Sequence, residues 1–501
     1  MSQDGPMRPT RSTELDAVVI GSGPNGLAAA VTLARAGLAV QVVEAQDALG
    51  GGARTVDLGL ADGVVHDLCS AVHPMALASP FMREFDLAAR VDLLVPEVEY
   101  AQPLDGGRAA LAYRSVERTA DGLGRDGAAW RQLLGPLAAD REGLVEIALG
   151  DRRSVPRHLV TAARYGLGVL EQGSPAWGLR FRGDEAPALL TGVAAHAITP
   201  MPSVPAAGAA LMLAGLAHGV GWPIPRGGSQ AIADALIADL LAHGGTVVTG
   251  TEVKDLDELP RARAYLFDTT PRTLVRVLGS RLPTRTARAF GRYRYGNAAA
   301  KVDFVLSGPV PWARPEVGLA GTVHLGGSRA EMAAAEADLV AGRHADRPVV
   351  LLSDPAVVDP GRVGAGGRRP LWTYAHVPAG STLDPTEAVT AQIERFAPGF
   401  RDVVVASQAI PAAEMSAHNA NYPGGDIAAG AVTLGRVLIG PRMAWDPFSG
   451  GLPGVYLCSA SAPPGPGVHG LGGWYAARRA LRDRFGITRL PSLSPDAARA
   501  G

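Results

Sequence analysis

Asp16-Ala-Val-Val-Ile20 runs directly into Gly21-Ser-Gly-Pro-Asn-Gly26, and this stretch decides the fold of the 501-residue chain. The apolar run predicts a short buried strand, and the alanine-rich segment after the glycines predicts a helix. Gly21 permits the tight turn out of the strand, Gly23 lets the backbone approach a pyrophosphate, and Gly26 lets helix and strand pack closely. The pattern is typical of a dinucleotide-binding unit, in which the helix N-terminus faces the phosphates.

An acidic residue completes this unit. A second apolar run, Ala39-Val-Gln-Val-Val43, ends on Glu44. A carboxylate in this place accepts both hydroxyls of an adenosine ribose, so Glu44 favours the unphosphorylated ribose of NAD or FAD over that of NADP. Pro24 and Asn25 in the turn, and Ala45 after the acid, complete the first part of the predicted cofactor site.

A glycine pair and an arginine follow shortly after Glu44, in Gly51-Gly-Ala-Arg-Thr55. This segment resembles the extension found in FAD enzymes of the amine oxidase and phytoene desaturase type. In those enzymes the glycines and the arginine follow the pyrophosphate and the ribityl chain, and NAD dehydrogenases normally lack them. The resemblance implies FAD as the cofactor, with Gly51, Gly52 and Arg54 in contact with it.

The closing motif Leu457-Cys-Ser-Ala-Ser-Ala-Pro-Pro-Gly-Pro-Gly-Val-His-Gly470 resembles the last flavin motif of phytoene desaturase-like enzymes. Together with the glycine pair above and Pro225-Arg-Gly-Gly228, it places a flavin motif in three separate regions of the chain. The segments 66–74 and 421–426 resemble the broad, non-carotenoid branch of that family. The resemblance implies FAD held on a glutathione-reductase-like scaffold that amine oxidases share. It also implies further cofactor contacts at Ser70, Val253, Ser459, Gly467 and Val468.

Two positions depart from the family pattern. Ala460 stands near the place where most of these enzymes carry an acid that binds the ribityl chain. Pro463 stands where carotenoid desaturases often have histidine. Carotenoid substrates are therefore not implied. The wider family includes desaturases, saturases and redox-neutral double-bond isomerases.

The chain length predicts two domains, because single hydrophobic cores stop growing at roughly 250–300 residues. We predict an α/β protein in which a glutathione-reductase-like Rossmann FAD domain is interrupted by a discontinuous α+β substrate domain. The predicted FAD domain comprises residues 14–80, 218–300 and 430–489, the substrate domain residues 81–217 and 301–429, and flexible tails residues 1–13 and 490–501.

Composition excludes several classes of function. The net charge of −1 argues against a nucleic-acid partner. The two cysteines, Cys69 and Cys458, form no C-x-x-C motif, which excludes a redox-disulfide enzyme. So few cysteines fit a reducing compartment, and we expect a cytoplasmic protein. No metal site is predicted.

An apolar stretch, Val204 to Val220, is the longest in the chain, and it is shorter than the roughly 20 residues of a membrane span. It predicts a buried core helix, and a lipophilic tunnel wall or a membrane-dipping surface is the alternative. We therefore expect an apolar small-molecule substrate and no transmembrane segment. Peripheral membrane contact and a homodimer both stay open.

Histidines supply the candidate acid–base residues, because imidazole transfers protons near neutral pH. His73 follows the first FAD segment, and His469 precedes the last predicted helix, whose N-terminal partial charge suits reduced flavin. We take both as catalytic candidates; the alternative is that they only hydrogen-bond the backbone or the flavin. His196 and His418 are candidates for lining the substrate pocket. Cys69 indicates a small buried residue, with a covalent flavin anchor as the alternative.

The leading function is an FAD-dependent oxidoreductase that forms, reduces or moves a carbon–carbon double bond in an apolar molecule. An amine or amino-acid oxidase is the first alternative. It would require an aromatic cage and often a lysine beside the flavin, whereas aromatic residues make up 5% and the lysines are Lys254 and Lys301, outside the flavin motifs. A non-catalytic FAD-binding protein is the second alternative. Only one dinucleotide unit is visible, so we expect oxygen, a quinone or no external acceptor rather than a nicotinamide.

Overall fold

The computed structural model describes residues 15–495, and two large β-sheets organise this part of the chain. The predicted strand, turn and helix are present as the strand Leu15–Ile20 and the helix Pro24–Arg35, which we call the first helix. The tail predicted for residues 1–13 lies outside the described residues.

The dinucleotide sheet contains five parallel strands. Their spatial order is Val455–Leu457, Ala262–Phe267, Leu15–Ile20, Val40–Val43 and Thr246–Val248. All five come from the three segments predicted for the FAD domain. Because parallel strands end at the same edge, this order brings Gly21, Glu44 and Asp268 to one edge of the sheet. The predicted α/β fold class is confirmed.

The last helix, Leu471–Phe485, packs against the first helix through backbone contact. A Cβ atom on Gly473 would lie 1.7 Å from the carbonyl oxygen of Asn25, and one on Gly472 would lie 2.6 Å from the carbonyl oxygen of Cys458. Neither carbonyl can move aside without disturbing its own element. Glycine at these two positions therefore allows the helices to meet above the end of the sheet.

The second sheet, which we call the substrate sheet, contains seven strands. Their spatial order is Val404–Ile410, Ala298–Leu306, Arg369–Val377, Val350–Ser353, Thr322–Leu325, Val98–Leu104 and Arg108–Tyr113. Only the pair Thr322–Leu325 and Val98–Leu104 is parallel among these described strands. The hairpin over 98–113 was missed in the sequence, where residues 81–217 indicate mainly helices.

Helices cover both sheets. Those of eight or more residues, besides the first and last, are Gly127–Ala139, Arg141–Leu149, Leu159–Gln172, Glu185–Ala194, Val204–Gly219, Gln230–Ala242, Pro271–Leu278, Thr284–Gly291, Arg329–Val340 and Thr386–Phe396. The apolar stretch forms the helix Val204–Gly219, largely buried. Among the described helices, none is long and apolar enough to cross a bilayer.

Three predicted boundaries need correction. The strand Ala298–Leu306 begins before the predicted boundary at residue 300, and the helix Val204–Gly219 runs across the boundary at residue 217. Residues 490–495 are not a flexible tail, because Leu493 is 2% exposed. The Arg35 guanidinium also donates to the carbonyl oxygens of Ser492 and Ser494, at 3.1 and 2.9 Å. The end of the described chain is therefore fixed to the FAD domain.

Replacing Gly473 with alanine should destabilise the protein, because the new methyl group would overlap the carbonyl oxygen of Asn25. Overpacking of this kind costs about 1–3 kcal/mol, which should lower the apparent Tm of the purified protein. The matched control is Gly166→Ala, at a helix position with nothing within 4 Å. That control should leave Tm unchanged or slightly higher, since alanine favours helix. Equal Tm values for both variants would contradict the packing described above.

Candidate cofactor and substrate site

A cavity of about 950 Å³ opens at the carboxyl edge of the dinucleotide sheet and extends into the substrate domain. It brings together most of the residues predicted from the sequence. Those that line it are Gly21, Gly23, Pro24, Asn25, Glu44, Ala45, Gly51, Gly52, Arg54, Ser70, His73, Val253, Ser459, Gly467 and Val468. Gly26 and His469 are not part of the lining.

The glycine turn is shaped by contact with Asp268. Gly21 has a φ of +97°, and a Cβ there would lie 2.8 Å from the carbonyl oxygen of Asp268. A Cβ on Gly23 would lie 2.5 Å from Asp268 Oδ2, and one on Gly26 would lie 2.2 Å from the carbonyl oxygen of Gly21. Side chains at these places would fill the space beside the helix N-terminus. The turn thus forms the open cradle that a pyrophosphate requires.

Asp268 is a site residue that the sequence analysis missed. Its backbone N–H donates to the carbonyl oxygen of Ile20 at 2.8 Å, and its Oδ2 accepts from the N–H of Gly26 at 2.9 Å. Burial raises the pKa of this carboxyl to about 7. An acid directly after an apolar run, here Tyr265-Leu-Phe267, was a usable signal, the same one that identified Glu44. Its contact with a turn 242 residues earlier was not visible in the sequence.

Glu44 is held in position by the loop around it. Its Oε2 accepts from the backbone N–H and the hydroxyl of Ser22, at 2.8 and 2.7 Å, and its Oε1 accepts from the N–H of Gln46 at 2.9 Å. A carboxylate offers about four acceptor positions, so these contacts leave capacity toward the cavity. The side chain therefore fits the predicted role of holding a ribose.

Arg54 is buried beside the same cavity. Its Nε donates to the carbonyl oxygen of Gly51 at 2.8 Å, and its Nη2 donates to that of His418 at 2.5 Å. Burial lowers the pKa of the guanidinium, and Glu44 opposes this shift. No carboxylate within residues 15–495 forms an ion pair with Arg54. A buried cation without an anionic partner, next to an open glycine cradle, fits the diphosphate of FAD.

His469 has both ring nitrogens bonded to the backbone. The N–H of Leu471 donates to Nδ1 at 3.0 Å, so the protonated Nε2 donates to the carbonyl oxygen of Gly465 at 3.1 Å. Burial lowers the pKa of this imidazole to about 4. The N–H of Gly472 is also taken, by Asn25 Oδ1 at 3.2 Å. His469 thus shapes the turn before the last helix, and its predicted catalytic role gains no support from this geometry.

His73 is placed differently, because it lines the cavity. Its Nε2 lies 2.8 Å from the hydroxyl of Ser229, and that hydroxyl donates to the carbonyl oxygen of Ser70 at 2.6 Å. Ser229 must therefore accept from His73 Nε2–H, which leaves Nδ1 as an unprotonated acceptor without a partner in the described residues. Burial lowers the pKa of His73 to about 4, so the ring is neutral at pH 7.

The other two candidate histidines also line the cavity. His196 Nε2 lies 2.9 Å from Nε2 of His324, a buried residue that the sequence did not single out. Burial lowers the pKa of His196 to about 3 and that of His418 to about 4. Cys69 lines the cavity too, and burial raises the pKa of its thiol. These groups are uncharged at neutral pH.

Comparison with known proteins shows similarity to flavin enzymes. Residues 25–274 match the family model of flavin containing amine oxidoreductases. An uncharacterized protein of Mycobacterium tuberculosis is 28% identical over 548 residues, covering 93% of this chain and 97% of that protein. The rat "pyridine nucleotide-disulfide oxidoreductase domain-containing protein 2" is 23% identical over 563 residues, covering 94% of each chain. A solved structure of a putrescine oxidase variant has a TM-score of 0.60 at 17% identity, covering 94% of this chain and 99% of that one.

These matches and the site geometry agree on the cofactor. FAD as the cofactor is confirmed. The chain is similar to flavin containing amine oxidoreductases over residues 25–274, and it shares the fold of a putrescine oxidase. The narrower resemblance to the phytoene desaturase-like branch stays a prediction.

Replacing Glu44 with alanine should weaken FAD binding about tenfold or more, because buried N–H groups and the ribose lose their acceptor. Glu44→Gln, which keeps one carbonyl oxygen, should lose less. The measurement is a titration of the apoprotein with FAD, followed by flavin fluorescence. Parent-like affinity in the alanine variant would remove Glu44 from the cofactor site.

FAD affinity should fall as pH rises through about 7, because Asp268 then ionises beside the cradle predicted for the diphosphate. The raised pKa means that the carboxyl is neutral below this range and negative above it. Above the pKa of Asp268, FAD affinity should fall by up to about tenfold for each pH unit. Asp268→Asn keeps an acceptor for Gly26 and should flatten the dependence. An unchanged pH profile in that variant would show that another group titrates.

Proposed function

We propose that the protein forms, reduces or isomerises a carbon–carbon double bond in an apolar small molecule. Bound FAD supplies a hydride acceptor or donor at flavin N5. The chain itself must then bind a hydrocarbon, exclude water and manage a proton. The observation that carries the proposal is the division of charge along the cavity wall.

The carboxylates that line the cavity are Glu44, Glu252 and Asp268, and all three belong to the predicted FAD segments. Within residues 81–217 and 301–429, Arg152 is the one formally charged side chain of the lining. The surrounding wall is apolar and includes Ile147, Leu149, Val169, Ile198, Val204, Pro205, Ala209, Met212 and Leu213. Such a wall suits an apolar substrate and gives no carboxylate partner to an ammonium group.

His73 is the residue that we propose for proton management. Ser229 orients its ring, and the buried Nδ1 has no hydrogen-bond partner within residues 15–495. Its low pKa means that it stays neutral at rest and gives up a captured proton readily. These properties suit a group that accepts and returns a proton within one catalytic cycle.

Amine oxidation is the second candidate, and two observations favour it. The family match is to amine oxidoreductases, and a putrescine oxidase shares the fold. The low aromatic content was also misleading, because Tyr165, Trp222, Trp372, Tyr374 and Tyr422 all line the cavity.

Lys301 limits this second candidate. It is 2% exposed and forms a buried ion pair with Asp303, and it is not part of the cavity lining. The lysine that an amine oxidase often places beside the flavin is thus engaged elsewhere in the described structure. A non-catalytic FAD-binding protein is the third candidate, which only a turnover test can address.

Anaerobic spectroscopy separates these functions. Putrescine and benzylamine should leave the flavin absorbance unchanged. Unsaturated apolar compounds, offered to the oxidised and the dithionite-reduced protein in D₂O, should change the flavin spectrum or gain deuterium. The apoprotein is the control for non-enzymatic exchange. Rapid bleaching by an amine, with aldehyde formed, would replace the proposal with amine oxidation.

His73→Ala should retain FAD and lose turnover about 10²–10⁴-fold, the usual cost of removing a general acid–base group. His469→Ala should also retain FAD and stay within about tenfold of the parent, because its ring contacts only the backbone. Steady-state turnover with bound FAD quantified for each variant is the measurement. The opposite ranking would make His469 the acid–base residue.

A further inference from the structure

The helix Leu159–Gln172, which we call the outer helix, is apolar on two opposite faces. Its inner face supplies Tyr165 and Val169 to the cavity lining. Its outer face exposes Leu159, Val160, Leu167 and Leu170, at 68%, 64%, 68% and 61%. Residues spaced by three, four and seven positions share one helix face. A large exposed apolar surface on a helix is normally covered by protein or by lipid.

Neighbouring segments extend this exposed face. Val155 precedes the outer helix and is 83% exposed, and Leu179 follows it and is 82% exposed. Met443 and Trp445, on a distant part of the chain, are 84% and 85% exposed. The Arg153 guanidinium lies 5.5 Å from the centre of the Trp445 ring, which joins the two segments. We call these eight side chains the apolar rim: Val155, Leu159, Val160, Leu167, Leu170, Leu179, Met443 and Trp445.

The apolar rim is continuous with the substrate half of the cavity. Arg152 lines the cavity and directly precedes the residue that contacts Trp445. Leu434, at the start of the helix Leu434–Ile439, lines the cavity and is 47% exposed. The same segments therefore form both the cavity wall and the exposed surface beside it.

The charges around the apolar rim are mainly positive. The side chains of Arg152, Arg157 and Arg164 form no ion pair with any acid in residues 15–495. Arg164 lies on the outer helix between Val160 and Leu167. Two nearby acids are paired with arginine, since Glu171 pairs with Arg180 at 2.5 Å and Asp151 pairs with Arg479 at 2.7 Å. Glu146 accepts from the backbone N–H of Arg157 at 3.2 Å and is a further acid beside these arginines.

We propose that the apolar rim docks on an anionic lipid bilayer, with the cavity mouth turned toward the lipid. Exposed leucine and tryptophan side chains would enter the interface, and the unpaired arginines would contact lipid headgroups. A two-fold dimer through this surface would instead bring the same arginines of both copies together, at an electrostatic cost. The inference that an apolar substrate enters the cavity from the bilayer rests on the proposed function. The docking of the apolar rim on the bilayer does not.

The test is sedimentation of the full-length FAD-bound protein with vesicles. Vesicles of phosphatidylcholine with phosphatidylglycerol should carry the protein down, and salt should weaken this binding. The triple variant Leu159→Ser, Leu167→Ser and Leu170→Ser should bind vesicles at least about tenfold more weakly than the parent, because the removed side chains are those expected to insert. Its flavin spectrum and Tm should match the parent, since all three positions are exposed.

Two controls separate the apolar and the electrostatic parts. Leu241→Ser, Val340→Ser and Leu383→Ser change side chains that are 52%, 59% and 59% exposed elsewhere, and they should bind vesicles like the parent. Arg157→Gln with Arg164→Gln should weaken binding to anionic vesicles by roughly fivefold per arginine. The control variant, Arg285→Gln with Arg288→Gln on the helix Thr284–Gly291, should bind anionic vesicles as tightly as the parent.

Absence of vesicle binding by the parent would overturn the proposal. Equal losses of vesicle affinity in the triple leucine variant and in the control variant at Leu241, Val340 and Leu383 would overturn it too. A dimer in analytical ultracentrifugation that the leucine variant dissociates, without vesicle binding, would assign the apolar rim to a second copy of the chain. Vesicle binding does not depend on turnover, so failure of the proposed function would leave this result unaffected.

Discussion

The contact between the glycine turn and Asp268 is the constraint on which the rest of the structure depends. The turn closes against the backbone and the carboxyl of Asp268, while the N–H of Gly21 donates to the carbonyl oxygen of Val43 at 2.8 Å. The last helix then meets the first helix at Asn25. Three distant segments thus converge on one helix N-terminus, and this convergence creates the cavity edge that is predicted to bind FAD.

The cavity divides into two halves with different electrostatics. The half formed by the FAD segments contains the buried Arg54, which suits a diphosphate, and Glu44, which suits a ribose. The half formed by the substrate segments contains neutral histidines, aromatic rings and aliphatic side chains, with Arg152 at its outer part. Burial keeps the histidines uncharged, so the substrate half offers shape and hydrogen bonds rather than charge. This division is the physical basis for proposing an apolar substrate on a scaffold that also serves amine oxidation.

The sequence predicted the parts of this site that depend on local order. The turn, Glu44 and the glycine pair before Arg54 follow one another within a single unit, so their spacing identified them. Asp268 was missed because its role arises from a contact across 242 residues. His469 was taken for a catalytic candidate because a sequence cannot show that the backbone satisfies both ring nitrogens. The hairpin over 98–113 was missed although its turn, Asp105-Gly-Gly107, is a local signal; the helical segments around it dominated the interpretation of residues 81–217. Aromatic residues are few in the chain but concentrated in the cavity, which composition cannot reveal.

Identification of the cofactor in the purified protein tests the central claim most directly. Denaturing the protein and separating the released compound by chromatography should give FAD in equal amount to the chain. The Glu44 contacts point to a dinucleotide with a free adenosine ribose. Release of FMN or NADP, or a colourless protein that does not bind FAD when it is supplied, would contradict the site as described.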